Sequence, residues 1–383
     1  MQKHIHIAFI DEQFINIISP LLDSAIESHE LILFIEQSQQ SQANAIKNVL
    51  TPRAIKVTEE LMPSTRNTEV LVDFYHHTLD HLISSNPNNR YVFNASCGDR
   101  QHVLSLYEVI KAYQLDCFMV EPKTDQLHWL TPTERTNTQL ADKLKITDFF
   151  PLIGCDITEI SNAHIVEKKY RDLGAKWSVS QDDFSKALGQ LNYLAASSED
   201  NNLLSAPLSR QQLNCPQLQT LIDDLEDAEL LTREGEQLCF SHEEARFFAN
   251  GGWLEEYVYG LLLSLKKEVP ELQDIAQGVA IKRKVGSGFV HNELDIVILA
   301  NNKLHLIECK TKKFERGEGN QVIYKLDSLS DLLGGIQARA ALVSYKGIRT
   351  SEKLRAKELE IALMCEEDLV NLKANLKNWL QNA

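Results

Sequence analysis

Between Glu293 and Lys313 the chain reads ELDIVILANNKLHLIECKTKK, two runs of aliphatic residues around an Asn-Asn pair. Asn tolerates the left-handed backbone that a two-residue hairpin turn requires, so Asn301 and Asn302 are expected to close a hairpin. The turn sets the register. Ala300 then faces Lys303, Leu299 faces Leu304, Val297 faces Leu306 and Asp295 faces Glu308. Lys310, two residues beyond Glu308, shares the face of Glu308. One face of the ribbon is therefore apolar near the turn and carries two carboxylates and an ammonium farther along.

Facing carboxylates repel unless something positive lies between them. An ion pair of Lys310 with Glu308, or with Glu293 opposite it, is the plainer answer. A divalent cation is the other. Oxygen ligands suit Mg2+ or Mn2+, with Asp295, Glu308 and the backbone carbonyl of Cys309 as ligands and water and phosphate in the remaining positions. Such an ion polarises a scissile phosphate and activates water. Lys310 would orient or deprotonate that water, or stabilise charge growing on the phosphate. A helix expected over GGWLEEYVYGLLLSLKK offers a third carboxylate. Its apolar stripe runs through Leu254, Val258, Leu261, Leu262 and Leu265. Glu255 borders that stripe and Glu256 lies opposite it, so Glu255 is the one expected to reach the sheet and join the metal ligands.

The surrounding order from Phe247 is helix, three strands, helix, strand, helix, short strand, helix. Residues 1–130 differ: HIHIAFI, ELILFIE, AIKVTE, RYVFNAS and DCFMVEP alternate with longer amphipathic segments. Repeated strand–helix units imply a mostly parallel sheet with helices on both faces. Ligands on such sheets bind at strand carboxyl ends where strand order reverses, which singles out the loops DEQ (11–13) and SCGDR (96–100). Between these regions, TPTERTNTQ and ASSEDNN read as linkers around a helical stretch whose chemistry has no signature. The segment 208–241, a helix entered through Pro216 and then a hairpin turning at Gly235, has the outline of a winged helix. Its helix carries Asp223, Asp224, Glu226, Asp227 and Glu229, charges that repel DNA phosphates, so it reads as a connector.

Charge follows the same division. Of a formal net −15, residues 247–383 contribute +1, with 19 Lys and Arg against 18 Asp and Glu, leaving −16 for residues 1–246. IKRK (281–284) and KTKKFER (310–316) are local basic clusters in the C-terminal part. The seven cysteines are scattered and form no CxxC pair, the longest apolar run is too short to span a bilayer, and the N-terminus has no signal-peptide shape. A cytoplasmic protein without a membrane partner is expected.

A helix Glu followed by ELD and ECK, in this element order, resembles the PD-(D/E)xK restriction-endonuclease-like superfamily. Asp295, Glu308 and Lys310 match its motif, and the proline of the name is absent. In related nucleases a Gln and a Tyr on the next helix assist, which makes Gln321, Tyr324 and Lys325 secondary candidates. Joined to a Rossmann-like N-terminal region, the whole resembles the CARF-domain nucleases, ancillary effectors of type III CRISPR systems. The resemblance implies an α/β chain with a CARF-like sensing domain over 1–135, a connector with a winged-helix-like segment over 136–246 and a nuclease domain over 247–383. It implies a homodimer that binds a cyclic oligoadenylate, typically cyclic tetra-adenylate, and then cleaves DNA, in some members RNA, with a divalent metal. The family's ligand loop, usually N-x-T-G-G-T-K, reads NASCGDR here. Asn94 and Gly98 match, Ser96 stands for Thr, Cys97 for Gly, Asp99 for Thr and Arg100 for Lys. In the first loop Gln13 is kept and Asp11 stands where Gly is usual. Asp11, Gln13, Asn94, Ser96, Gly98 and Arg100 are the candidate ligand residues. The competing reading is a ligand-sensing transcription regulator with a vestigial nuclease fold. A dinucleotide oxidoreductase is set aside because GxGxxG is missing.

Overall fold

The computed structural model describes residues 2–141, 143–161, 167–315 and 317–381. Arg316 of the second basic cluster lies outside the described residues. The chain forms two compact units, residues 1–157 with 282–291 and 299–302, and residues 158–281 with 292–298 and 303–383.

In the first unit β1 (His4–Phe9), α1 (Ile15–Leu22), β2 (Glu30–Ile35), α2 (Gln40–Leu50), β3 (Lys56–Leu61), α3 (Thr68–Ser85), β4 (Arg90–Asn94), α4 (Arg100–Ala112) and β5 (Asp116–Glu121) follow the expected alternation. β6 (Gln126–Thr131), β7 (Thr138–Gln139) and α5 (Ile146–Leu152) complete it. The sheet order is β3-β2-β1-β4-β5-β6-β7, parallel from β3 to β5. β6 and β7 were not foreseen, and both pair antiparallel. The connection between β5 and β6, residues 122–125, is too short for the crossover a parallel neighbour needs, so the chain can only turn back. The strand order reverses beside β1, which places the loops after β1 and β4 next to each other at the carboxyl end of the sheet. Below them Phe9, Phe34, Tyr75, Phe93 and His102 form a buried aromatic cluster. The Tyr75 hydroxyl meets His102 Nδ1 at 2.5 Å within it.

The second unit is built on the sheet β15-β14-β13-β12-β11-β8. Its elements are β8 (Cys155–Ser161), whose first residues group with the first unit, α6 (Lys168–Val179), α7 (Gln181–Ala196), α8 (Arg210–Leu213), α9 (Pro216–Asp227), β9 (Leu231–Glu234), β10 (Gln237–Phe240) and α10 (Glu243–Phe247). Then come α11 (Trp253–Leu265), β11 (Leu272–Val285), β12 (Gly288–Ala300), β13 (Lys303–Lys310), α12 (Glu318–Gly334), β14 (Arg339–Ser344), α13 (Thr350–Glu358), β15 (Ala362–Cys365) and α14 (Leu372–Gln381). β14 runs parallel to β13 and β15. Asn301 and Asn302 have φ of 48° and 54°, the left-handed pair that a two-residue turn demands. That turn groups with the first unit, where Asn302 Nδ2 donates to Asp125 Oδ2 at 2.6 Å. β8 at the sheet edge was not foreseen, because CDITEIS lies in the stretch without a nameable signature.

α9 and the β9–β10 hairpin, turning at Gly235, give the winged-helix outline. The acids of α9 are largely met from within: Arg233 on the wing pairs with Asp223 and Glu226, and Lys176 and Trp177 Nε1 of α6 both reach Asp224.

Candidate active site and ligand loops

α11 lays Leu254, Val258, Leu262 and Leu265 into the core, while Leu261 stays half-buried. Its start is fixed by a π-helical turn, Phe248–Gly252, in which Gly251 has φ +111°. A side chain at Gly251 would collide with Thr311 Oγ1, so the Gly-Gly pair lets the helix backbone sit directly on the residue after Lys310. Buried Asn192 of α7 locks this junction. With its amide oxygen accepting from Thr311 Oγ1 at 3.1 Å, its nitrogen donates to the carbonyls of Leu188 and Ala249 at 3.0 and 3.1 Å. Neither Asn192 nor Thr311 was singled out in the sequence. Only the Gly-Gly pair hinted at a close approach.

The junction brings Glu255 together with Asp295, Glu308 and Lys310, all within the second unit. Lys310 Nζ is 2.6 Å from Glu308 Oε1 and 3.9 Å from Asp295 Oδ2, so the plain ion pair is made, with the second acid close behind. Asp295 Oδ2 accepts the Cys309 N–H at 2.7 Å. Burial, and then the Glu308 charge, push the Asp295 carboxyl up to about 6. Burial and the neighbouring Asp295 likewise lift Glu255 well above the usual carboxylate range. Burial works against the Lys310 charge, but Asp295 and Glu308 outweigh it and hold the ammonium above the ordinary lysine value. Three largely buried carboxylates thus share one close ammonium. Glu256 faces elsewhere and accepts from Gln277 Nε2 at 3.2 Å.

Of the secondary candidates on α12, Lys325 is near enough for its charge to favour ionised Asp295. Gln321 and Tyr324 are exposed, and the Arg355 guanidinium stands 5.3 Å from the Tyr324 ring centre. Lys346, beyond the end of β14, was missed. Its half-buried ammonium donates to Ser185 Oγ at 2.5 Å and is pushed down to about 8 by burial and by Lys313.

The donor set for a metal is all oxygen and carries more negative charge than the nearby lysine balances, which fits a hard divalent cation. Among the described residues, however, no three His, Cys, Asp or Glu side chains converge closely enough to ligate one ion. In this arrangement Lys310 occupies Glu308.

In the first unit, Asp11, Gln13, Ser96, Gly98 and Arg100 line one open cavity of about 500 Å³. Asn94 lies buried below it and orients Ser96, whose N–H and hydroxyl both reach Asn94 Oδ1, at 3.1 and 2.5 Å. Asp11 turns its oxygens to the backbone, accepting from Gln13 N and Gly98 N at 2.7 Å each, and so staples the two loops. Gly98 has φ +114°, and a Cβ there would lie 2.5 Å from Phe9 Cβ. Asp99 caps α4 through Gln101 N and pairs with Arg66 at 3.0 Å. Its slight burial works the other way, but these two partners hold its carboxyl below the usual range. The negative charge that sequence sets in the loop is therefore already engaged.

Residues 242–383 match a family model described as Card1-like, endonuclease domain. The crystal structure of protein VC1899 from Vibrio cholerae is 35% identical over 99% of this chain and 98% of its own, with a TM-score of 0.92. Can2 from Sulfobacillus thermosulfidooxidans, solved in complex with cyclic tetra-adenylate, shares the fold at 20% identity and a TM-score of 0.77, covering 98% of this chain and 99% of its own. The chain belongs to the CARF-nuclease family. This nuclease also shares its fold with a type III CRISPR defence DNA nuclease activated by cyclic oligoadenylate, at 12% identity and a TM-score of 0.58 over 96% of this chain and 51% of that one. A comparison with curated proteins yields no match. Family membership suggests that the nuclease depends on a divalent metal. Among its described residues no helix is long and apolar enough to cross a membrane.

Proposed function

We propose that this nuclease cleaves DNA, and RNA as a second substrate, with Mg2+ or Mn2+, and that a cyclic oligoadenylate, cyclic tetra-adenylate in particular, switches it on. The observation that carries the reading is the convergence of Glu255, Asp295 and Glu308 on Lys310. Asp295, Glu308 and the Cys309 carbonyl would hold the cation, with Glu255 completing the charge. The cation would supply polarisation of the scissile phosphate and a lowered pKa for the attacking water. Lys310 would orient or deprotonate the water, or stabilise the charge growing on the phosphate. Burial on this face limits bulk water and strengthens each of these interactions.

The activator reading rests on the cavity formed by the loops after β1 and β4. Ser96 and the Gly98 backbone offer polar contacts there, and Arg100 at the start of α4 offers a guanidinium for phosphate. Leu104 lines the same cavity and is 67% exposed, an apolar contact that suits a second copy of the chain. Two copies related by a two-fold axis fit a cyclic, symmetric ligand, so we take the working form to be a homodimer. β12 offers a covalent route between sensing and cutting, since it carries Asp295 in the second unit and residues 299–300 in the first.

The test is cleavage of single-stranded DNA, supercoiled DNA and RNA with Mn2+, with and without cyclic tetra-adenylate, alongside Glu308→Ala. Ligand-dependent cleavage lost in the variant supports both halves. Cleavage indifferent to the ligand sinks the sensing half. A folded protein that binds DNA but cuts nothing with any metal favours the regulator instead.

A further inference from the structure

The tip of the β11–β12 hairpin, IKRKVGSGFVH (281–291), plays no part in the chemistry described above. β11 ends at Val285 and β12 begins at Gly288, so Gly286 and Ser287 form a two-residue turn, with Gly286 at φ +59°. That turn sets Lys284 opposite Phe289 and Lys282 opposite His291, and facing residues share a face of the ribbon. The side chains agree: Lys282 Nζ stands 4.3 Å from the centre of the Phe289 ring. Phe289 is 55% exposed, and Val285 and Val290 beside it are exposed as well. A large ring held open to solvent under a cation contributes little to a core. The same combination is what an unstacked base and its phosphates require: an aromatic face for stacking, and ammonium groups alongside for the backbone. Exposure along this end of β12 is unbroken from Gly288 to His291.

We infer that this hairpin binds single-stranded nucleic acid, with one base stacked on Phe289 and the flanking phosphates on Lys282 and Lys284. Duplex offers no free base face, so the platform discriminates against it. The inference deepens the nuclease reading and rests on it for its setting, but its test is read without cleavage.

The experiment is fluorescence anisotropy of the full-length protein in EDTA, with and without cyclic tetra-adenylate. The probes are labelled oligo-dT and oligo-U of about 20 nucleotides, a length that covers one stacking site and its flanks, and a duplex of equal length. Phe289→Ala is expected to weaken both single strands about tenfold, as loss of one stacked base does, and to leave duplex binding unchanged. Phe289→Trp retains binding, and its fluorescence is quenched by the strand. Lys282→Ala with Lys284→Ala weakens every probe and lowers the salt slope for single strands by about 1.4. Single-strand affinity untouched by Phe289→Ala, equal losses for strand and duplex, or no binding by the parent under either condition each overturns the proposal. A change in oligomer mass instead of in binding assigns the face to a second copy and also overturns it. The expected binding pattern with no cleavage in a parallel Mn2+ assay sinks the nuclease reading and leaves the hairpin assignment standing.

Discussion

The loops after β1 and β4 and the carboxylates on β12 and β13 are both polar constructions built on a sheet, and their charges are handled in opposite ways. In the first unit both oxygens of Asp11 accept backbone N–H groups, and Asp99 has a helix N-terminus and Arg66. Each negative charge is met by groups within a few ångströms. In the second unit Asp295 has one N–H donor, Lys310 serves two acids, and Glu255 brings a third into the same buried space. A turn with its charges met locally is complete as structure. A buried cluster with more negative charge than its lysine balances is, on the proposed reading, completed by a cation from outside.

The sharpest way to break this contrast is to remove the cluster's own groups. Glu308→Gln and Lys310→Met are each expected to lower single-turnover cleavage by on the order of 10³-fold or more. Glu308→Gln should keep thermal stability, whereas Lys310→Met should lower it, since it leaves the buried carboxylates without their ammonium. Residual rates within tenfold of the parent would show that the cluster is not the cutting site.

Acid is the next largest effect, and it should strike both units. His6 and His305 are buried, one in each unit, and burial pushes both imidazoles down to about 4 from an ordinary 6.5. Their folded pKa lies below the unfolded one, so folding favours the neutral ring. That stability is fully present above about pH 6.5 and is lost as pH falls towards 4, up to about 3 kcal/mol for each ring. Melting temperatures measured from pH 7.5 to 4.5 should fall, and His6→Asn should flatten the first unit's share. An unchanged slope in that variant counts against the assignment.

Gly98→Ala should cost the first unit about 2–4 kcal/mol, since the new Cβ meets Phe9 and the backbone is left-handed. Denaturant titration would detect it, and a loss below 1 kcal/mol would mean that the loop relaxes freely.

The smallest effects are the most informative about the contrast because they differ in sign. Asp11→Ala strands two backbone donors and should destabilise by about 1–3 kcal/mol. Asp295→Asn removes a buried charge, keeps an acceptor for Cys309 N–H, and should stabilise by about 1 kcal/mol while abolishing cleavage. If both variants shift stability in the same direction, the distinction between a satisfied turn and an unbalanced cluster fails.

Much of this was legible in the residues. The Asn301–Asn302 turn, the strand–helix alternation up to β5, the α9–wing outline and the choice of Glu255 over Glu256 all follow from short-range stereochemistry or helical periodicity. The antiparallel β6 and β7 were missed because QLHWLT and TQ are short, and their direction depends on the length of the connection before them. β8 was missed because its partner β11 lies more than a hundred residues away in the chain. Asp99 puts a negative charge in a loop where an anionic ligand is expected, and only the structure showed its oxygens turned to Gln101 N and Arg66.

The sequence by itself determined which residues can share a face, where the hairpins turn and which helix border carries an acid, because these depend on φ, ψ and repeat period over a few residues. Tertiary structure alone decided that Asn192 and Gly251 seat α11 against Thr311, and so bring Glu255 within reach of Asp295 and Lys310. Burial and electric field at a carboxylate are set by groups that are distant in the chain and close in space, and local pattern carries no record of them.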